Sequence, residues 1–455
     1  MRLSSATLDT LPPEVARFTY DRVGQKTGIV HFGIGAFHRA HQAWYTDLAM
    51  SAGERDWAIC GVSLRSASVA EQLGPQDGVY TLTERRGAET GSRLIGSVRE
   101  VLVAGRNAAA IVERIASPRC HVVSCTVTEK GYASAPDGSL DPGLAKASFY
   151  PLLASALERR KAAGLSGLTL LSCDNLPGNG PALARLLREW VDARQPGLAA
   201  WIERECACPA TMVDRIVPAT TEADLAALED RLGVRDEAAV FTERFSQWVI
   251  EDRFAGPRPG WERHGAQLVD DVAPYETAKL RMLNGAHSAL AYLGLERGHV
   301  FMHEAIADPE LRPLVERLMR QEAATSFVPA PEQHLAAYAD RLLARFADPA
   351  LGHRLAQIAM DGSQKIPQRW LETLAFHQPR GERCPAILEA LAAWLRHVRG
   401  DVRPVDDPLA ERLAALWREA GAPGIAAALF GPCGLFARFW TADEAALSEL
   451  TAKVA

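Results

Sequence analysis

The run Ile29-Val-His-Phe-Gly33-Ile-Gly35-Ala-Phe-His-Arg39 carries an apolar, strand-like segment straight into two glycines one residue apart. A helix-like stretch follows at once and continues to about Ala52. Two glycines let the chain turn tightly and bring bare backbone against a bulky anion, and the N-terminus of the following helix favours negative charge. Such a corner belongs to a strand–turn–helix unit that needs further parallel strands beside it.

The N-terminal half supplies those strands. Residues 28–34, 57–62, 79–83, 94–95, 121–127 and 168–172 read as short apolar strands. Helical periodicity separates them, notably at 67–73, 109–115 and 150–163. This alternation predicts an α/β fold, a Rossmann-type doubly wound domain with a parallel sheet covered on both faces. After about residue 268 the pattern changes. Segments 276–294, 309–325, 331–346, 350–360, 385–398 and 407–420 all favour helices, with few strand candidates among them. Gly256-Pro-Arg-Pro-Gly260 is the strongest local breaker, and one more strand, 266–272, reaches the boundary. The expected organisation is a dinucleotide-binding domain over residues 1–268 and a mainly α-helical substrate and catalytic domain over 269–455.

Composition excludes several function classes. A length of 455 residues supports two or three domains with large cores. A hydrophobic fraction of 48% and a charged fraction of 23% are those of an ordinary globular chain. The net charge of −6 gives no electrostatic case for nucleic acid or an anionic membrane. No apolar run approaches the roughly 20 residues that cross a bilayer. The N-terminal Met1-Arg-Leu-Ser-Ser-Ala-Thr-Leu-Asp lacks the apolar core of a signal peptide, so a cytoplasmic location is expected. The eight cysteines form no Cys-x2-Cys pair, and several sit in apolar strand-like runs. Neither a disulfide nor a metal is expected.

The glycine turn departs from the full Gly-x-Gly-x-x-Gly pattern, because His38 stands at the third glycine. Arg39, near the helix start, is a natural phosphate partner. The strand 57–62 runs into Ser63-Leu-Arg-Ser66, with no acid to read a ribose 2′-hydroxyl. Arg65 and Ser66 therefore leave NADP open beside NAD. His38 and His41 lie three apart, but no carboxylate accompanies them as a further metal ligand. Taken alone, the turn is also compatible with a mere tight connection.

A second array carries the chemistry. Lys279, Asn284 and His287 lie in Tyr275-Glu-Thr-Ala-Lys-Leu-Arg-Met-Leu-Asn-Gly-Ala-His287. On an α-helical wheel Lys279, Glu276, His287 and Asn284 fall at roughly 0°, 60°, 80° and 140°. A polar arc of this kind is ordinarily a solvated face. Here Leu280 and Leu283 share the arc and Leu290, Ala291 and Leu293 flank it, which a wet face does not require. Apolar surroundings favour a neutral lysine, and a neutral lysine is a general base.

Several further motifs fall in order along the chain. Gly33-Ile-Gly-Ala-Phe-His-Arg-Ala-His-Gln42, Thr126-Val-Thr-Glu-Lys-Gly-Tyr132 and Ser172-Cys-Asp-Asn-Leu-Pro-Gly-Asn-Gly180 come first. Met212-Val-Asp-Arg-Ile-Val-Pro218, Gln247-Trp-Val-Ile-Glu-Asp252, the lysine array and Met360-Asp-Gly-Ser-Gln-Lys-Ile-Pro-Gln-Arg369 follow. Together they resemble the polyol-specific long-chain dehydrogenase/reductase family, also called the mannitol dehydrogenase family. The likeness spans about residues 28 to 370. It implies metal-independent hydride transfer between NAD and a carbon of a sugar alcohol or aldonate. It implies that Lys279 is the general base, that Asn175 and Asn284 hold the reacting oxygen, that His287 orients the substrate and that Glu276 passes the proton to water. Neutral amide donors suit that task, because they stabilise a developing alkoxide without the desolvation cost of a charge. The resemblance also sets Gly33, Ile34, Gly35, Phe37, His38, Arg39, Thr128, Glu129 and Val213 beside the cofactor, and Asp214, Lys365 and Arg369 beside the substrate. Plainer readings stand next to these. Asn175 can close a turn before Pro177, Asp214 and Arg215 can form an ordinary salt bridge, and Lys365 can be a surface charge.

Two positions depart from the mannitol pattern. Ala36 stands where mannitol dehydrogenases typically carry Asn, and Gln357 where they carry Arg. The stretch from Gln357 to Arg369 is more similar to the branch that interconverts D-mannonate and D-fructuronate. A carboxylate-bearing substrate of that kind needs cationic donors such as Lys365 or Arg369. Oxidation of mannitol or arabinitol is the second reading. A non-catalytic nucleotide-binding protein is the third, and the intact set Lys279, Asn175, Asn284 and His287 argues against it. The partner expected is a small sugar acid or polyol, with no nucleic acid and no membrane; nothing in the chain decides an oligomeric state.

Overall fold

The computed structural model describes the backbone of every residue from Met1 to Ala455 except Ala88 and Pro136. It describes their side chains except those of Arg86, Glu129, Pro196 and Leu351. The chain divides into two compact units, Met1–Val272 and Ala273–Ala455.

Unit 1 holds eleven strands among its described residues: β1 (Thr27–Phe32), β2 (Ala58–Ser63), β3 (Tyr80–Arg86), β4 (Glu89–Ile95), β5 (Val98–Val103), β6 (Val122–Cys125), β7 (Thr169–Ser172), β8 (Thr211–Asp214), β9 (Val240–Glu243), β10 (Gln247–Glu251) and β11 (Gln267–Val269). Its main sheet is wholly parallel, in the order β5-β2-β1-β6-β7. The apolar runs that read as strands are continuous because both sheet faces are covered. Along β1, Val30 and Phe32 enter one core while Ile29 enters the other; Cys60 and Val62 of β2 part from Ile59 in the same way. Successive side chains point to opposite faces, so alternate residues of one strand feed two separate cores. Chain order runs outward from β1 to β2 and β5, then returns to place β6 and β7 on its other side. That reversal opens a crevice at the carboxyl ends of β1 and β6, the usual ligand position in such sheets.

Two expected members of the parallel sheet lie elsewhere. Residues 79–83 and 94–95 belong to β3 and β4, an antiparallel pair that forms a separate three-stranded sheet with β9. Their place in the parallel sheet is taken by β5, Val-Arg-Glu-Val-Leu-Val, whose two charges hid it. An edge strand tolerates charges that a central one does not. A third sheet, β11-β10-β8, pairs β10 antiparallel to β8 and parallel to β11.

Unit 2 is helical, and among its described residues β structure is limited to an isolated bridge between Phe301 and Arg354. One core serves the whole unit. The helix Gly285–Glu296 is buried on nearly every side, as a helix apolar all round must be. The stretch expected as a helix over 350–360 is mostly broken: Pro349 and Gly352, at φ +53, leave only Leu355–Ile358 as α-helix. Among the described residues three stretches wind as π-helix: Lys279–Asn284, Leu318–Ala323 and Pro367–Leu371. The first packs against the other two. Among the described residues, no helix is long and apolar enough to cross a membrane.

Candidate active site

The glycine turn closes the carboxyl end of the central strand β1. Gly33 has φ +96, and a Cβ there would stand 2.0 Å from the Thr126 carbonyl oxygen, so only glycine fits. Its N–H donates to Val62 O at 2.8 Å, and Gly35 N–H donates back to Gly33 O at 2.7 Å. Thr126 Oγ1 donates to the same Gly33 oxygen at 2.7 Å. Gly35 is exposed, and the nearest atom to a Cβ placed there is 3.9 Å away. One glycine is thus needed for the fold, while the other leaves bare backbone open outside the turn. This is the cradle that a dinucleotide pyrophosphate requires.

Beneath the turn, two expectations change. His38 is fully buried, its ring stacked on His31 with centroids 3.5 Å apart. Burial and the neighbouring basic groups hold its imidazole well below the ordinary pKa, so it is neutral packing rather than a cofactor contact. Arg39, expected on a phosphate, is also buried. Its Nε donates to Gly35 O at 3.3 Å, its Nη1 donates to Ala238 O, and its own carbonyl accepts from the Tyr80 hydroxyl at 2.6 Å. The guanidinium braces the turn from behind. His31 completes the support, with Nδ1 2.7 Å from Ser124 Oγ and Nε2 2.9 Å from Thr126 Oγ1. Ile34 is buried in the core beside β2 and Phe37 is half-buried.

The loops after β6 and β7 stand on adjacent strands and are tied together by Asp174. Its carboxylate accepts from Val127 N at 3.1 Å, Thr128 N at 2.8 Å and the Tyr132 hydroxyl at 3.0 Å. Burial raises its pKa against the pull of these donors. Thr128 takes φ +63, a strained conformation for a β-branched residue, and the bond to Asp174 helps hold it there. Thr128 is exposed; the side chain of Glu129 lies outside the described residues. Asn175 follows Asp174 directly and is exposed beyond the end of β7. Asn179 secures the loop from below, donating to Asp174 O at 3.0 Å and Thr211 O at 2.8 Å. Asp174 and Asn179 stand inside a motif visible in the sequence, yet nothing in their type separates a brace from a reacting amide.

Val213 and Asp214 are buried in β8. The carboxylate partner of Arg215 is Glu84, at 2.6 Å.

In unit 2 the lysine array is not a continuous α-helix. Lys279–Asn284 is π-wound, and Gly285 N–H donates to Leu280 O, five residues back. The α-helical wheel, which sets Lys279 and Asn284 about 140° apart, therefore does not apply. With i→i+5 bonding, residues five apart follow one another along the axis and share a face. Lys279 and Asn284 are both buried, while Glu276 and His287 are half-buried. Arg281 anchors the outer side of the π-turn, donating to Ser326 O at 2.8 Å and pairing with Glu372 at 3.1 Å.

The end of this π-turn is held by another. From Pro367–Leu371, Arg369 Nη1 donates to Asn284 O at 3.3 Å and to Ser288 Oγ at 2.7 Å, and Trp370 Nε1 donates to Gly285 O at 3.1 Å. The His287 ring lies against Phe346 and edge-on to His353, with centroids 4.8 and 5.5 Å away. Burial first, then the charges of His353, Arg345, Arg369 and Lys365, hold His287 well below its ordinary pKa. Lys365 Nζ donates to the carbonyls of Met360 and Ile358. Arg345 and His353 were not among the residues singled out in the sequence; only the packing of 335–353 brings them to this ring.

Comparison with known proteins matches both units. Residues 27–263 fit the model described as the mannitol dehydrogenase Rossmann domain, and residues 271–430 the mannitol dehydrogenase C-terminal domain. A D-mannonate oxidoreductase of Escherichia coli is 40% identical over 445 residues, 93% of this chain and 91% of that protein. A mannitol 2-dehydrogenase of Phaeosphaeria nodorum is 38% identical over 438 residues, 91% of this chain and 77% of that protein. The structure of Pseudomonas fluorescens mannitol 2-dehydrogenase in ternary complex with NAD and D-mannitol superposes with a TM-score of 0.84 at 34% identity, covering 100% of this chain and 95% of that one.

Proposed function

The chain belongs to the mannitol dehydrogenase family of oxidoreductases, and from that premise we propose that it interconverts D-mannonate and D-fructuronate with NAD(H). One observation carries the choice of substrate. The charged groups that bear most on His287 are all basic, namely Arg345, Arg369 and Lys365. A sugar acid neutralises such a gathering, whereas an uncharged polyol offers it only hydroxyl groups. Identity does not choose between the substrates, since the mannonate and mannitol relatives stand at 40% and 38%.

The Gly33 turn suits the cofactor diphosphate, with Gly35 offering open backbone and Thr128 standing in the loop after the adjacent strand β6. A nicotinamide held there would supply the hydride acceptor in oxidation and the hydride donor in reduction. In the oxidative direction Lys279, neutral, takes the hydroxyl proton as the carbonyl forms; in reduction its ammonium returns that proton to the oxygen. The amides of Asn175 and Asn284 donate to the oxygen while it carries charge. His287, held neutral, offers one donor and one acceptor to a substrate hydroxyl. Glu276, half-buried one turn before Lys279, carries the proton on to water. Asp214 and Lys365 are assigned to further substrate contacts.

Initial rates with NADH on D-fructuronate, D-fructose and D-xylulose test the reading. D-fructuronate is expected to be turned over with a kcat/KM at least 100-fold above either ketose, the order of effect of a charged hydrogen-bonded contact. Equal or faster reduction of D-fructose would assign the enzyme to mannitol instead.

A further inference from the structure

Arg369, close to His287, has only neutral partners among the described residues. Its Nη1 is committed to Ser288 Oγ at 2.7 Å and Asn284 O at 3.3 Å. Among the described residues no carboxylate pairs with it, and its Nε and Nη2 donate to no protein acceptor. Burial lowers its pKa to about 10, with the Tyr292 hydroxyl the opposing influence. A guanidinium withdrawn from water without a counter-ion is costly, and such charges are ordinarily paired. The two nitrogens left over are also a matched pair: Nε and Nη2 form the side edge of the guanidinium, whose parallel N–H bonds fit both oxygens of a carboxylate. Neither atom is among the side-chain donors sealed from solvent without a partner.

We propose that the Nε/Nη2 edge of Arg369 receives the carboxylate of the sugar acid, while Nη1 ties that contact to the backbone of Asn284. This rests on the sugar-acid reading above and names the residue that enforces it. The link to Asn284 gives the arrangement its purpose. In D-fructuronate the keto carbon stands four bonds from the carboxylate, a reach of about 5 Å at ordinary bond lengths. An anchor bonded directly to the residue that holds the reacting oxygen sets carboxylate and carbonyl in one register. Arg369 is thus a specificity-determining residue. Its side chain sorts acids from neutral sugars, and its third nitrogen positions the amide.

The test compares Arg369→Gln and Arg369→Lys with the parent enzyme on D-fructuronate and D-fructose, with thermal melts alongside. For Arg369→Gln, loss of the tie to Asn284 is expected to lower kcat on both substrates alike, while kcat/KM on D-fructuronate falls about 100-fold further than on D-fructose, mostly in KM. Arg369→Lys keeps the charge and loses the fork, so its kcat/KM on the acid is expected to fall about 10-fold further than on D-fructose. Should the Gln variant not fold, the Lys variant decides by the same ratio. Equal loss on both substrates would make Arg369 a packing residue, and no loss on the acid would move the anchor elsewhere; either result overturns the proposal. A parent enzyme that prefers D-fructose overturns the sugar-acid reading itself, whatever the variants do.

Discussion

The Gly33 turn and the Lys279 π-turn both depart from regular backbone, and they do so for opposite reasons. At Gly33 the residue dictates the geometry. A φ of +96 and a carbonyl 2.0 Å from any Cβ admit nothing but glycine, so the turn is written into the chain. At Lys279–Asn284 the residues are ordinary helix formers, Lys-Leu-Arg-Met-Leu-Asn, and would wind as α-helix in isolation. The fold imposes the wider turn from outside. Arg281 is held by Ser326 and Glu372, and Asn284 and Gly285 are held by Arg369 and Trp370. Local chemistry built one half of the machinery, and neighbours built the other.

The sharpest way to break that contrast is on the lysine side. Lys279→Ala is expected to lower kcat about 1000-fold, within the range for losing a general base, while NADH still binds in a fluorescence titration.

The two glycines give the next largest effect and separate fold from binding. Gly33→Ala should destabilise unit 1 by about 3 kcal/mol or more, since it meets both strain and a backbone clash. Gly35→Ala has φ −81 and open space around its Cβ, so its melting temperature should stay within about 2 °C of the parent. Its affinity for NADH should nevertheless fall about 10-fold, because the methyl group intrudes where the diphosphate approaches. Unchanged affinity would detach the turn from cofactor binding.

The smallest expected effect concerns acid. Unit 1 holds His31 at about 3 and His38 well below its ordinary value, and unit 2 holds His287 and His353 low as well, burial being the first cause in every case. Their folded pKa values are depressed, whereas the unfolded imidazole titrates near 6.5. Unfolding below that pH therefore takes up protons, and stability falls as pH falls. Each such histidine contributes a slope of about 1.4 kcal/mol per pH unit once pH is well below 6.5. His38→Gln should flatten the loss of stability of unit 1 between pH 6 and 5 by about one histidine's share, as read from urea unfolding at each pH. An unaltered slope would mean that His38 is protonated in the folded protein.

Much of the fold was legible because its signals are local. Apolar runs bounded by breakers gave β1, β2, β6 and β7, and helical spacing gave most of unit 2. The edge strand β5 escaped because Arg99 and Glu100 interrupt its apolar run, and β3 and β4 were misplaced because short strands carry no mark of the sheet they will join. Lys279, Asn284 and His287 could be singled out by type and spacing. Their mutual geometry could not, and neither could the inward aim of Arg39 and His38, since a side chain's direction depends on what packs behind it.

By itself, then, the chain determined the glycine corner, the parallel sheet built on it, the helical second unit and the set of groups able to move a proton and a hydride. The tertiary structure decided the winding of the lysine turn, the gathering of Arg345, Lys365, Arg369 and His353 about His287, and the open edge of Arg369. The reason is physical. Turns and periodicity follow from a residue's own backbone limits and its near neighbours, whereas π-winding and unpaired charge are set by contacts made dozens of residues away.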